Sequence, residues 1–517
     1  MNQEILVSDE ILNLINSDME PQQLLDLISE KIKSKDFLIV DKEIKTLLDS
    51  KPSLDFNWNE FDKARVLLEK NVDKELYIRF VNIIKEEKEK PAVQETFLEK
   101  RKIKINQLYV NKPSKRDVQS FIDHYNARYK FIQGLLTHRQ ELTSLISINR
   151  LKGRKEGETC SIIGMLNQKI TTKNGNILLS IEDPSGMVSV LVNKNKPDLF
   201  ELAKELTLDE VIGITGIRKD SLFFVNNLVL PDIPIQHELK KCEDEVYAIC
   251  LSDLHVGSEK FLDEDFKRFL KWIRGETGNL AQKDIADKIK YVFIVGDLVD
   301  GVGIYPGQEN ELAIKDVKAQ YDACAELLSQ IPDDKTMIIC PGNHDAVRLG
   351  EPQPPFYEDF ASSLYSLKNA VIISNPGVVN IHASDLFPGF DFLLYHGYSF
   401  DFFVANIDSI RNQGGYDRAD LIMKFLLKCR HLAPTHTCTV FVPDSSYDPL
   451  IIKEVPDFFL TGHIHKTSVS NYRQVTLISG SCWQAKTAFQ EKVGHHPEPS
   501  RVPIINLKTR AVKILKF

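Results

Sequence analysis

A chain of 517 residues is long for one domain and, at roughly 150 residues per domain, divides into about three units. Its 43% hydrophobic and 27% charged residues exclude a disordered chain and call for folded domains. A net charge of −8 excludes a uniformly basic DNA clamp, so any nucleic-acid contact is local or made by a partner.

In chain order, the start (Met1, Asn2, Gln3, Glu4) is polar and acidic and lacks the basic and apolar parts of a signal peptide. Residues 1–85 are predicted as a helical module: Leu24, Leu25, Leu27, Ile28 and Ile32 fall at helical spacing and Pro21 suits a first helical position. Residues 86–150 open as a charged tether, with Lys85 to Lys90 mixing Lys and Glu, then Pro91, Arg101, Lys102 and Lys104. A helical segment from Lys115 to about Ile146 follows.

Residues 155–235 change to short strands with sharp turns. Strands are expected at Cys160–Asn167, Ile177–Ile181, Met187–Val192, Val211–Ile217 and Leu222–Leu230, with a helical piece at Leu199–Leu206. Lys173-Asn174-Gly175-Asn176 is expected as a type I′ hairpin, and Asp183-Pro184-Ser185-Gly186 as a second turn. Three strands, a helix and two strands is the order of an OB-type barrel. Such barrels grip single strands through aromatics; only Phe223 and Phe224 stand out here, which favours an architectural role.

Residues 245–517 alternate short apolar runs with amphipathic helices, an α/β pattern. The runs are Val246–Leu251, Tyr291–Val295, Met337–Cys340, Phe392–Tyr395 and Phe458–Leu460. None approaches the ~20 residues of a membrane helix, and the eight cysteines contain no C-x-x-C pair, so reduced, buried thiols of a cytosolic protein are expected. Each run leads into a segment that delivers a metal ligand: Ser252-Asp253-Leu254-His255, Gly296-Asp297-Leu298-Val299-Asp300, Gly342-Asn343-His344-Asp345, Tyr395-His396-Gly397 and Gly462-His463-Ile464-His465. Loops at strand C-termini build the active sites of α/β sheets. Two divalent ions a few ångström apart would clamp a phosphodiester and its attacking water, and an anionic bridge would relieve their repulsion. Asp297 is the natural bridge. Imidazoles with carboxylates suit Mn, Fe or Zn better than Mg. Gly257, Gly296, Gly342, Gly397 and Gly462 let the backbone turn beside the ions. His344 follows Asn343 directly and so points elsewhere, to protonate a leaving 3′-oxygen or to stabilise phosphoryl charge, with Asp345 to orient it. The histidines outside these motifs (His124, His138, His237, His382, His431, His436, His495, His496) are expected to be surface or structural.

The five motifs, Asp-x-His, Gly-Asp-x-x-Asp, Gly-Asn-His-Asp, His-Gly and Gly-His-x-His, resemble those of the calcineurin-like metallophosphoesterases, which are two-sheet β-sandwiches flanked by helices. The stretches Ser252–Ser258, Gly296–Gln308, Pro341–Arg348, Glu351–Pro354, Arg430–Pro434 and Trp483-Gln484 narrow the likeness to the small subunits of archaeal family D DNA polymerases. That resemblance implies a helical region, an OB barrel and a phosphoesterase domain in this order. It implies a 3′→5′ proofreading exonuclease beside a large polymerase subunit, acting on single-stranded or primer-template DNA and meeting a sliding clamp through the complex, in the cytoplasm at the nucleoid. It also implies a ligand set. One ion takes Asp253, His255, Asp297 and His465; the other takes Asp297, Asn343, His396 and His463; His344 is the catalytic acid. Manganese is the first expectation, iron or zinc the others. Two readings compete: a mainly structural polymerase subunit, and another phosphodiesterase or phosphatase of the same superfamily.

Overall fold

The computed structural model describes residues 102–110, 115–492 and 495–517. The expected module at 1–85 and most of the charged tether lie outside the described residues.

The end of the tether is a strand, β1 (Ile103–Gln107), in which buried Ile103 and half-buried Ile105 flank exposed Lys104. A period-two apolar pattern thus runs through a charged stretch. Helix α1 (Val118–Thr137) opens with a capping box between Asp117 and Ser120 and buries a stripe of His124, Arg128, Tyr129, Ile132 and Leu136. Its C-terminal half packs on Leu142, Ile163, Met165, Val211 and Val229.

Five strands close into a barrel: β2 (Thr159–Thr171), β3 (Ile177–Asp183), β4 (Gly186–Val192), β5 (Val211–Lys219) and β6 (Leu222–Val229), in the order β2-β3-β4-β6-β5, with α2 (Pro197–Glu205) between β4 and β5. The order of elements matches the sequence expectation. Phe223 fills the barrel interior and Phe224 is half-buried, so the first is unavailable for stacking on a strand. The β2–β3 turn is not type I′. Only Gly175 takes a positive φ (79°), and Gly175 N–H donates to Thr172 O while Thr172 N–H donates to Asn176 O, both at 2.8 Å. This is a three-residue loop with its glycine in the left-handed position.

The remaining chain supplies β7 (Tyr247–Leu251), α3 (Asp263–Ile273), α4 (Leu280–Lys288), β8 (Ile289–Val295), α5 (Val317–Leu328), β9 (Thr336–Cys340), α6 (Glu358–Tyr365), β10 (Ala370–Ile372), β11 (Gly377–Ile381), β12 (Phe390–Leu394), α7 (Phe400–Asn406), α8 (Asp408–Asn412), α9 (Ala419–Cys429), β13 (Phe458–Thr461), β14 (Ser468–Tyr472), β15 (Val475–Ser479), α10 (Ala488–Lys492), β16 (Arg501–Asn506) and β17 (Val512–Lys516). They form two six-stranded sheets, β10-β9-β8-β7-β16-β17 and β1-β11-β12-β13-β15-β14. The inner faces share one apolar layer, in which Phe293 stacks on Phe392 at 4.4 Å and Phe392 on Phe458 at 4.3 Å. Outer layers complete the sandwich: Phe266, Phe269, Trp272 and Tyr321 cover one sheet, and Phe400, Phe403, Ile422 and Leu426 the other. Each buried aromatic contributes about 1.5–3 kcal/mol relative to exposure. Strands β7, β8 and β9 run parallel, as do β12 and β13, so each set delivers its C-terminal loops to one end. All eight cysteines are free and buried, and no helix of the described residues is long and apolar enough to cross a membrane.

Candidate metal centre

The loops after those five strands bring the seven expected ligand side chains into one ring of contacts. His255 Nε2 lies 3.1 Å from His465 Nε2, and His465 Nε2 lies 3.3 Å from Asp253 Oδ1. Asp253 Oδ1 accepts from the His463 backbone N–H at 3.0 Å. His463 Nδ1 is 3.0 Å from Asn343 Oδ1, which is 3.1 Å from His396 Nε2, and His396 Nε2 is 3.2 Å from Asp297 Oδ2. Asp297 Oδ2 also stands 3.9 Å from His255 Nε2, which closes the ring. Asp297 thus presents Oδ2 to the imidazoles of both His396 and His255, while its Oδ1 accepts from the His344 backbone N–H at 2.8 Å. Three trios have ligand atoms mutually within 4.8 Å: Asp253, His255 and His465; Asp253, Asp297 and His396; and His255, Asp297 and His344.

The backbone carries strain here. Asp253, His255, Asp297, His463 and His465 all have φ between 52° and 68°, a left-handed conformation that disfavours residues with a Cβ. Such outliers persist where the surrounding structure over-determines them, and they cluster at functional sites. Glycines provide the clearance. A Cβ on Gly462 would stand 2.6 Å from Asp253 Oδ2 and 2.8 Å from Val295 O, and one on Gly342 would strike Asp297 Oδ1.

Whether these groups suit a cation is decided by the hydrogen-bond directions. His396 Nδ1 donates to Val295 O at 2.9 Å, so in its neutral form Nε2 bears a lone pair. That lone pair faces Asp297 Oδ2 and Asn343 Oδ1, both acceptors. Only a proton or a metal ion reconciles the three atoms. In the metal-free chain a proton does so: burial opposes the imidazolium, but Asp297 outweighs it and raises His396 to about 10. Burial likewise opposes the charge of Asp297, yet His396 and then His344 hold its carboxyl well below the usual range. The same logic fixes two other rings. Asp300 Oδ1 holds His255 Nδ1 at 3.1 Å, and Asp401 Oδ2 holds His463 Nε2 at 3.1 Å, turning the opposite nitrogen inward in each case. The donor set therefore fits borderline divalent cations.

The calcineurin-like phosphoesterase family model matches residues 248–467, a span that contains every one of these side chains. The DNA polymerase II small subunit of Methanothermobacter thermautotrophicus is 36% identical over 401 residues, covering 78% of this chain and 80% of that protein. The chain belongs to the archaeal DNA polymerase II small-subunit family. The small subunits of Archaeoglobus fulgidus and Pyrococcus furiosus are 37% and 40% identical over 75% and 77% of this chain. The match spans 64% of the P. furiosus protein, less than two thirds of its length.

This small-subunit chain contains supporting residues that sequence reading did not assign. Asp300 stands in the Gly-Asp-x-x-Asp motif, so its signal was available; besides His255, its carboxylate accepts from Gln484 Nε2 at 2.8 Å and Gln308 Nε2 at 3.1 Å. Gln484 in turn donates to Ser258 Oγ at 2.8 Å. Asp401, Gln490 (3.1 Å from His465 Nδ1) and Asn375 (accepting from the His396 N–H at 2.9 Å) carried no motif. His344 points away from Asn343, as expected, with Nδ1 on Asp300 O at 2.8 Å and its ring edge-on to His255 at 4.7 Å. Asp345 does not orient it. The Asp345 carboxylate instead accepts from Gly342 N–H (2.8 Å), Leu298 N–H (3.3 Å) and the Tyr321 hydroxyl (3.1 Å), bracing two ligand loops against each other. Burial, then the charge of Asp297, pushes it up to about 7. Among the other histidines, His124 and His431 are buried against Asp448, and His436 is exposed but paired with Asp209.

Proposed function

We propose that this small subunit is a metal-dependent 3′→5′ exonuclease that trims DNA ends beside a large polymerase subunit. The observation that carries the reading is the convergence of seven ligand-type residues in one cluster, in which the His396 lone pair faces two oxygens that either a proton or a metal ion reconciles. One ion would be held by Asp253, His255, Asp297 and His465, the other by Asp297, Asn343, His396 and His463. Manganese is the first expectation from the family relationship, and the imidazole and carboxylate donors would also accept iron or zinc. Bound there, such cations would supply charge neutralisation for the phosphodiester during hydrolysis.

The protein's own residues do the rest. Asp300, Val295 O and Asp401 hold the outer nitrogens of His255, His396 and His463, so that no reorganisation is needed at the moment of reaction. His344 keeps Nδ1–H on Asp300 O, and in its imidazolium form Nε2 would carry the proton that passes to the departing 3′-oxygen. Digestion polarity rests on the family relationship. The barrel is read as an OB fold with a mainly architectural role, because Phe223 is spent in its core. The large polymerase subunit, single-stranded or primer-template DNA and, through the complex, a sliding clamp are the partners that follow, in the cytoplasm at the nucleoid. The test is nucleotide release from single-stranded and mismatched 3′ ends with Mn²⁺. Asp297→Ala and His344→Ala should each lose it by a hundredfold or more; digestion unchanged in both variants refutes the proposal.

A further inference from the structure

A groove of about 650 Å³ opens beside the metal centre, and its near wall is built from residues that touch His463. The Tyr398 ring stands edge-on to His463 at 6.0 Å, and Asp401 holds the His463 Nε2. Phe402 follows on α7, and the far wall is the segment Thr437–Phe441.

That far wall is fixed from three sides. Phe441 is stacked on His124 of α1 at 5.2 Å, with Phe121 edge-on at 5.9 Å. Glu351 N–H donates to Val440 O and Val442 N–H donates to Glu351 O, both at 2.8 Å. At the near end of the segment, His436 is tied to Asp209 in the barrel at 2.8 Å. Val440 nevertheless exposes 60% of its surface at the rim.

The lining includes three aromatic rings and two threonines but neither lysine nor arginine. Its acidic member, Asp401, is committed to His463. A phosphate backbone needs cationic or N–H donors, so the groove suits the uncharged part of a nucleotide. Aromatic faces stack on any base with little preference for sequence. From the continuity of this groove with His463 and its aromatic lining without lysine or arginine, we infer that it seats the unpaired 3′-terminal base of the DNA strand, with Tyr398 as its stacking platform. This rests on the nuclease reading and adds to it a reason for acting on frayed ends: a base held in a duplex cannot enter.

The test uses the full chain with Mn²⁺ and two single-stranded oligothymidylates that differ only at the 3′-terminal residue, thymidine in one and an abasic tetrahydrofuran in the other. Stacking contributes roughly 5- to 100-fold per base. Wild type should therefore release thymidylate with a kcat/KM at least about fivefold above that for the abasic residue. Tyr398→Phe should keep that ratio, and Tyr398→Leu, which keeps bulk but loses the ring, should bring it near one. The ratio is taken within each preparation, so partial misfolding cancels, and Phe441→Leu, which alters the far wall but keeps the Tyr398 ring, should lower the ratio less than Tyr398→Leu does. Equal cleavage of both oligonucleotides by wild type, or a full ratio retained in both leucine variants, overturns the base site alone. Cleavage of neither by wild type overturns the nuclease reading and this inference with it.

Discussion

Asp300→Asn tests whether the centre is a metal site held by an outer carboxylate. Asp300 is fully buried; its two oxygens accept from Gln484 and Gln308 at 2.8 and 3.1 Å, and Oδ1 stands 3.1 Å from His255 Nδ1. Asparagine keeps the shape and one acceptor, but it removes the charge that makes His255 a better ligand and sets an NH₂ donor against a glutamine donor. Loss of such an outer partner costs 10- to 100-fold in metal affinity, which is about 1.4–2.7 kcal/mol. The mismatched buried donor costs a further ~1–3 kcal/mol of fold stability. Calorimetric titration with Mn²⁺ should show the weaker binding, and nucleotide release should recover at high metal. Combined with His255→Ala, the two changes should be less than additive, because both act through one ligand. Unaltered Mn²⁺ affinity in a folded Asp300→Asn protein, or strict additivity with His255→Ala, refutes the reasoning.

Three further outcomes follow from the packing. Phe293→Ala removes the ring stacked at 4.4 Å on Phe392 between the two sheets and should cost about 3–5 kcal/mol in urea unfolding; a loss below ~1 kcal/mol contradicts the shared inner layer. Gly462→Ala places a methyl 2.6 Å from Asp253 Oδ2 and should weaken Mn²⁺ binding while leaving far-UV circular dichroism intact; native affinity counts against the close approach. His431 is buried with its Nδ1 accepting from Ala433 N–H and its Nε2 on Asp448, and burial, then Arg128, lowers it from 6.5 to about 4. The folded chain holds it neutral while the unfolded chain takes up a proton, so its effect is absent above about pH 6.5 and stability falls between 6.5 and 4, by up to about 3 kcal/mol. Unfolding of wild type and His431→Gln from pH 7.5 to 4.5 should show the shallower slope in the variant; parallel slopes contradict the assignment.

How much of this was legible depends on whether the signal was local. Strands β7, β8, β9, β12 and β13 announce themselves because a buried parallel strand is an unbroken apolar run and each leads into a motif. Edge strands do not. In β14 and β17 half the side chains are exposed, and β1 lies within a run of lysines and arginines, where charge hides the alternation of Ile103 and Ile105. Ligand types were legible for the same local reason, and so was the order of the barrel strands. The holders of the ligands were not. Asp401 reaches His463 across 62 positions and Gln490 reaches His465 across 25, pairings that exist only once helices and sheet are packed. The left-handed backbone of five ligands also escaped, because sterics make that conformation the exception for any residue but glycine.

That strain explains the spacing of two of the motifs. Asp253 and His255, like His463 and His465, are two left-handed residues separated by one other. The intervening Leu254 is buried in the helix layer outside the first sheet, and the intervening Ile464 in the layer outside the second. Each motif is thus ligand, anchor, ligand: the apolar side chain fixes the loop from outside while its neighbours turn inward. Leu298 does the same after Asp297. Holding a residue in this conformation costs of order 1–3 kcal/mol, and burying a leucine or isoleucine contributes about as much. The hydrophobic position in each motif is therefore as much a part of the metal centre as the groups that face it.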